Sequence, residues 1–299
     1  MELVNFAVYM LTMVGIYSLL ALSLNLQLGF TGLINFGQVM FFAIGAYASG
    51  LPTVRVGVPI PLAIIAAMLI TGAVGMLISL PTRSLKADYW AISTLVAAET
   101  VRLIAINEEW LTGGTFGVMN IPQPLGGLVG SASYPLVFLA ITVILVAIVY
   151  VLINFITDSP FGRDLRGVRD DEDLCLGLGK NTRKLKVQSM LLAGMIAGLG
   201  GALFAHYITF ISPQNFRPIE TFLIWAMIII GGRGNHKGAI LGAVLIQTLN
   251  VSTRFLSGPF EASSAFMGSL RMALIGLLII VFLLYRPEGL LRERKKLYD

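Results

Sequence analysis

The chain has 299 residues, 56% of them hydrophobic and 12% charged, with a mean hydropathy of +0.83 and a formal net charge of +5. Soluble domains carry about 25% charged residues, so this composition excludes a soluble globular protein and predicts an integral membrane one. The positive balance reports Lys and Arg beside anionic lipid headgroups, not a nucleic-acid partner.

Apolar runs near 20 residues suit α-helices crossing a ~30 Å hydrocarbon core at ~1.5 Å per residue. The alternating ten-residue strands of a membrane barrel are missing from the sequence. The fold class is therefore all-α, a polytopic transmembrane helix bundle forming one membrane domain over residues 1–299. The lone cysteine, Cys175, permits no intrachain disulfide. Glu2 and the lack of a basic leader argue against a removable signal peptide.

Leu3 to Leu24 predicts a first span, ended by a polar, glycine-rich turn at Asn25–Leu26–Gln27–Leu28–Gly29. Phe30 to Leu51 predicts a softer second span, interrupted by Gly32, Gly37 and Gly45 and carrying Asn35 and Gln38. Val58 to Leu80 predicts a third, and Asp88 to Ile106 a fourth that contains Glu99 and Arg102. After a turn-rich loop, Tyr134 to Ile156 predicts the fifth. Residues 157–186 then form the long hydrophilic segment of the chain, holding 13 of its 37 charged side chains.

Val187 to Phe210 predicts a sixth span with small residues at every fourth position, Gly194, Gly198 and Ala202. Such stripes let helix backbones approach closely in lipid. Two short apolar runs follow, Thr221 to Ile230 and Ala239 to Asn250, separated by a glycine-rich stretch from Gly231 to Gly238. Ala265 to Tyr285 predicts the last span, before a basic tail at 286–299. Counting both short runs gives about nine spans. With the N-terminus outside and the C-terminus inside, 16 of the 21 Lys and Arg fall on cytoplasmic segments, as the positive-inside rule requires. A faint internal echo links Leu28–Gly32 with Ile230–Gly234, and paired glycine-interrupted segments mark substrate paths in some transporters.

Within the hydrophilic segment, Asp171, Glu172 and Asp173 stand where acids complement the positive end of a short helix over 170–179. Leu174 and Leu178, four apart, form an apolar ridge, and Gly179 suits a left-handed cap. Apolar residues in a segment with no membrane to enter point to a partner's groove, although the pattern alone fits an ordinary solvated loop equally well. Glu99 and Arg102 share one helical face, either as a structural ion pair or as part of a translocation path; Asn35 and Gln38 either meet substrate or bond neighbouring helices. His206 and His236 lack metal-ligand spacing, and no catalytic constellation is present in the sequence. The run from Gly231 to Gly238 lacks the Lys–Ser/Thr ending that holds nucleotide and Mg²⁺, so nucleotide chemistry is expected on another chain.

Several stretches, taken in order, resemble the branched-chain amino acid ABC-transporter permeases, most nearly the LivM-type member. They are Gly29–Phe30–Thr31–Gly32–Leu33–Ile34–Asn35–Phe36–Gly37, Ser159–Pro160–Phe161–Gly162–Arg163 with the acidic run, Leu178–Gly179–Lys180–Asn181, and Arg286–Pro287–Glu288–Gly289–Leu290. Gln38 and Val39 depart from that family's common His and Ala. The resemblance implies a permease subunit of an ATP-driven importer of branched-chain or other small amino acids in a bacterial or archaeal cell membrane, working by alternating access. It implies two ATP-binding subunits carrying ATP and Mg²⁺, a homologous second permease, and an external substrate-binding protein. The hydrophilic segment is the implied coupling loop to the ATPase. A urea or amide permease of the same family and an autonomous ion-coupled carrier are the alternatives; an intramembrane enzyme would need paired His or carboxylates within spans.

Overall fold

A computed structural model describes residues 2–82, 87–126, 133–256 and 264–293. The predicted loop residues Arg83 and Lys86, and Arg294, Lys295 and Lys296 of the tail, lie outside them. The described residues form α1 (Glu2–Leu24), α2 (Gln38–Arg55), α3 (Ile60–Thr82), α4 (Ala87–Asn107), α5 (Glu109–Thr112), α6 (Tyr134–Asp158), α7 (Pro160–Asp170), α8 (Glu172–Gly177), α9 (Thr182–Ile208), α10 (Pro218–Gly231), α11 (His236–Leu256) and α12 (Ser264–Tyr285). Extended pairing among them is limited to one antiparallel bridge, Val118 to Ile211. The chain is an all-α, multi-pass membrane protein.

Six segments are long and apolar enough to cross a bilayer: Val4–Phe30, Ile60–Pro81, Asp88–Asn107, Tyr134–Asp158, Thr182–Ile208 and Gly268–Tyr285. The other three predicted spans correspond to α2, α10 and α11. The run at 221–230 extends only to the 14 residues of α10, which reach about 21 Å, short of a ~30 Å core. The run at 239–250 is the middle of a 21-residue helix.

The axis of the bundle is α9, which packs against α1, α2 and α3. Its small residues set how near those helices come. A Cβ built at Gly194 would lie 2.7 Å from the carbonyl oxygen of Thr71, and one at Gly198 would lie 2.0 Å from Thr71 Oγ1. On the α2 side, a Cβ at Gly201 would lie 2.1 Å from the carbonyl oxygen of Phe42. Ala202 is fully buried in the same stripe. The Phe42 ring lies 5.0 Å from that of Phe204 and 5.3 Å, edge-on, from that of Phe216.

The predicted turn at Asn25–Gly29 is not a turn. Residues Asn25–Phe30 are π-helical and prolong α1. The polar side chains that suggested solvent are buried and bonded to another part of the bundle: Asn25 Oδ1 accepts from the Gly234 backbone N–H at 2.9 Å, and its amide lies 3.1 Å from His236 Nδ1. Single π turns of this kind concentrate at functional sites. Residues 32–37 then run without regular structure, and the second span begins at Gln38, eight residues later than predicted. Gly37 permits the return, since a Cβ there would sit 2.2 Å from the carbonyl oxygen of Thr94. The echoed stretches meet in space, with a Cβ at Gly29 only 2.4 Å from the backbone nitrogen of Gly234.

Candidate functional site

The hydrophilic segment holds the helix expected within 170–179 as α8 and, before it, a further helix, α7, that the sequence reading did not predict. The amphipathic α7 buries Leu165 and Val168 and turns its charges outward or toward the end of α1. Arg169 donates to the carbonyl of Gly29 and, at 3.0 Å, to both carboxylate oxygens of Glu293. The Arg166 guanidinium stands 5.1 Å from the Phe30 ring centroid and donates to the Thr157 carbonyl at 3.1 Å. Charge-assisted bonds of this kind are about twice as strong as neutral ones. They fasten α7 to both α1 and the chain's last described residues.

The helix breaks at Asp171, whose extended backbone (φ −157°, ψ 101°) stops α7 and starts α8. Asp171 is the N-cap: its Oδ1 accepts from the Leu174 backbone N–H at 2.9 Å, a contact worth about 1 kcal/mol. Glu172 and Asp173 fill the first turn, and Glu172 also receives a 2.7 Å bond from the buried Lys186 at the start of α9. Gly179 has φ +76° and ends the hairpin, a backbone state that glycine adopts without strain. One side of α8 faces inward through Cys175, packed near Gly167. Leu174 and Leu178, four apart and 62% and 71% exposed, face away together, while Leu176, 51% exposed, lies on another side of the helix. A rigidly tied helix therefore carries an apolar ridge on its free side. Burying a leucine of this exposure stabilises by about 1.5–3 kcal/mol.

Asn35, Gln38, Gln27 and Ser23 form a fully buried network where the irregular segment enters α2. Asn35 Nδ2 donates to Gln27 Oε1 at 2.7 Å, Gln27 Nε2 to Gln38 Oε1 at 3.0 Å, and Gln38 Nε2 to Ser23 Oγ at 2.7 Å. Ser23 passes the chain on to the Ala193 carbonyl of α9 at 2.6 Å. Trp225 Nε1 on α10 donates to the Asn35 carbonyl at 2.9 Å. These amides bond one another and link the end of α1, the start of α2, α9 and α10. Gln38→Leu strips an acceptor from Gln27 in a dry interior. An orphaned buried polar group costs about 1–3 kcal/mol, so the thermal midpoint of the purified protein should fall by roughly 2–12 °C. An unchanged melting curve would contradict the network.

Glu99 and Arg102 pair with each other on α4. Arg102 Nε lies 2.9 Å from Glu99 Oε2, and a second contact joins Arg102 Nη2 to Glu99 Oε1. Their side chains keep 37% and 20% exposure, so the pair sits on a partly open flank of the bundle, apart from the amide network.

Two cavities lie at opposite ends of α1. One, of about 320 Å³, adjoins the hairpin and is lined by Phe30, Thr157, Arg166, His236 and Lys237 among others. His236 is packed there, stacked 4.6 Å from Phe30 with Nε2 3.1 Å from Thr157 Oγ1. The other, of about 480 Å³, opens among the far ends of α1, α9, α10 and α11. His206 lies in neither; its ring nitrogens each make 2.7 Å contacts, with Ser49 Oγ and the Pro122 carbonyl. Among the described residues no group of His, Cys, Asp or Glu is arranged to hold a metal.

Sequence reasoning missed Ser23 and Gln27 as network members, although polar residues inside an apolar run were the signal. It also missed Glu293, which nothing local distinguishes from any tail acid.

The family model described as "Branched-chain amino acid transport system / permease component" matches residues 6–283. Among curated proteins, the high-affinity branched-chain amino acid transport system permease protein LivM of Escherichia coli is 32% identical over 94% of this chain and 68% of its own length. The probable branched-chain amino acid transport permease protein LivM of Methanocaldococcus jannaschii is 29% identical over 94% of this chain and 91% of its own. LivH of Salmonella typhimurium is 24% identical over 94% and 92%. No solved structure matches.

Proposed function

We propose, from the premise that this chain belongs to the family of branched-chain amino acid transport-system permease components, that it carries branched-chain or similar small amino acids inward as one of two permease subunits. Two ATP-binding chains supply the energy with ATP and Mg²⁺, and an external binding protein delivers the substrate. The hairpin end of the bundle faces the cytoplasm, and this chain performs no hydrolysis.

The observation that carries the reading is the outward leucine ridge of α8 on a doubly fastened base. A transmitter of force needs a docking face and a stiff linkage behind it. Leu174 and Leu178 supply the face. Asp171 caps the helix, Lys186 holds Glu172 at the root of α9, and Arg169 clamps α7 to the end of α1. ATP-driven closure of the motor moves α8, and the packed α1–α2–α3–α9 group moves with it as a body. Glu99 and Arg102 serve as a structural pair in this scheme, and Gly194, Gly198 and Ala202 keep the moving group tight.

Purification of the chain from its native membrane in mild detergent tests this. An ATP-hydrolysing subunit and a second permease should accompany it in stoichiometric amounts. Recovery of the chain alone, with full amino acid uptake after reconstitution and no ATP, would favour an ion-coupled carrier instead.

A further inference from the structure

The stretch Arg286–Pro287–Glu288–Gly289–Leu290 follows α12 and folds back over the connection between α10 and α11. A turn closes it, the Gly289 N–H donating to the Arg286 carbonyl at 2.9 Å. Gly289 has φ +74°, and a Cβ there would lie 2.5 Å from the Cα and nitrogen of Gly232, so glycine suits the position and a larger residue is strained. The next two N–H groups, of Leu290 and Leu291, donate to the carbonyls of Ile230 and Gly231 at 2.8 and 3.1 Å. Those carbonyls belong to the last turn of α10, where a helix supplies no donors of its own. Asn235, just before α11, donates from Nδ2 to the Arg292 carbonyl at 2.9 Å.

Glu293 then ties the segment to the hairpin. Its two carboxylate oxygens each lie 3.0 Å from Arg169 Nη1 on α7. The same carboxylate lies against Gly234, where a Cβ would be 2.9 Å from its carbon. The side chains of Arg169 and Glu293 are 21% and 24% exposed, so salt screens the pair only in part. Covering the α10 carbonyls needs the segment only as far as Leu291. Glu293 adds a link to the element that carries α8.

We propose that Arg286–Glu293 is a strap through which the hairpin moves the α10–α11 pair, with Glu293 as the positioning residue that joins strap to hairpin. The proposal rests on the import reading and deepens it: the hairpin drives α10 and α11 as well as the α1–α2–α3–α9 group.

The test uses the transporter purified with its companion chains and reconstituted in proteoliposomes, where uptake of labelled L-leucine and hydrolysis of ATP are measured together. Glu293→Ala should leave the retained ATP-hydrolysing subunit and its hydrolysis rate unchanged. It should lower leucine taken up per ATP about 10-fold, as losing one bond to a charged partner implies. Glu293→Gln keeps an acceptor oxygen and should fall between Glu293→Ala and wild type. Gly289→Ala lifts the strap at its other anchor with Glu293 intact, and should lower the same ratio. Glu288→Ala is the control, because that side chain pairs with Arg292 of the strap itself and with neither anchor. ATP-driven uptake with an unaltered ratio in both Glu293→Ala and Gly289→Ala would overturn the strap alone, as would a parallel fall of uptake, hydrolysis and melting temperature, the mark of a merely structural role. Wild-type uptake that needs no ATP would overturn the import reading itself, and the strap's role with it.

Discussion

Leu174→Asp should reduce ATP-driven uptake by ~100-fold or more while the protein still inserts and melts as the wild type does. The side chain is 62% exposed on a short capped helix, and neither the cap at Asp171 nor the Lys186–Glu172 bond involves it. The change therefore leaves the isolated chain's fold intact. In a docked complex the same leucine contributes about 1.5–3 kcal/mol of burial, and a carboxylate placed in an apolar groove adds a desolvation penalty. A combined loss near 3 kcal/mol or more corresponds to over ~100-fold in association. Uptake and ATPase coupling in proteoliposomes measure the effect; rates equal to wild type would leave α8 as a solvated loop with no role in coupling.

Gly201→Leu should act in the opposite way, destroying the bundle rather than a contact with a partner. A Cβ at this position has 2.1 Å to the Phe42 carbonyl oxygen and 2.8 Å to the Ala46 backbone nitrogen. Both are backbone atoms of α2, so no side-chain rotation relieves the overlap. Overpacking of a tight core costs about 1–3 kcal/mol where neighbours can yield, and here α2 and α9 must separate. Loss of their contact exposes the amide network at the foot of α2, adding orphaned polar groups at about 1–3 kcal/mol each. Expression of correctly inserted protein should fall several-fold, with the remainder melting well below wild type. Gly177→Leu is the matching control, because a Cβ at Gly177 has no neighbour within 4 Å. Equal stability of the two variants would contradict the proposed role of α9 as the bundle's close-packed axis.

Much of the architecture was legible because length and apolarity are local properties. The helices at 60–82 and 134–158 follow from apolar runs of bilayer length, as does α9 from residue 187 on, five residues after its start, and the small-residue period in α9 announces its packing face. The start of α8 was legible too, since an acidic first turn and a terminal glycine have local chemical reasons. The π-helical continuation of α1 was not. Asn25 and Gln27 look like turn residues until their partners, Gly234, His236 and Asn35, are known. The same applies to the clamp of Arg169 on Glu293 and to the Tyr17–Glu220 bond, which join positions 124 and 203 residues apart. Glu99 and Arg102, three apart on a helix, show the converse: their pairing was readable because it never leaves one turn.

We propose the exposed ridge of α8 as the docking face for an energy-supplying chain. Its most direct test is the amount of ATP-hydrolysing subunit that remains bound per permease after affinity purification, compared between wild type and Leu174→Asp. Wild type should retain it in fixed proportion, and the variant should lose at least ~90% of it, as a penalty of about 3 kcal/mol implies. Equal retention by both chains would contradict the claim and place the contact elsewhere on the molecule.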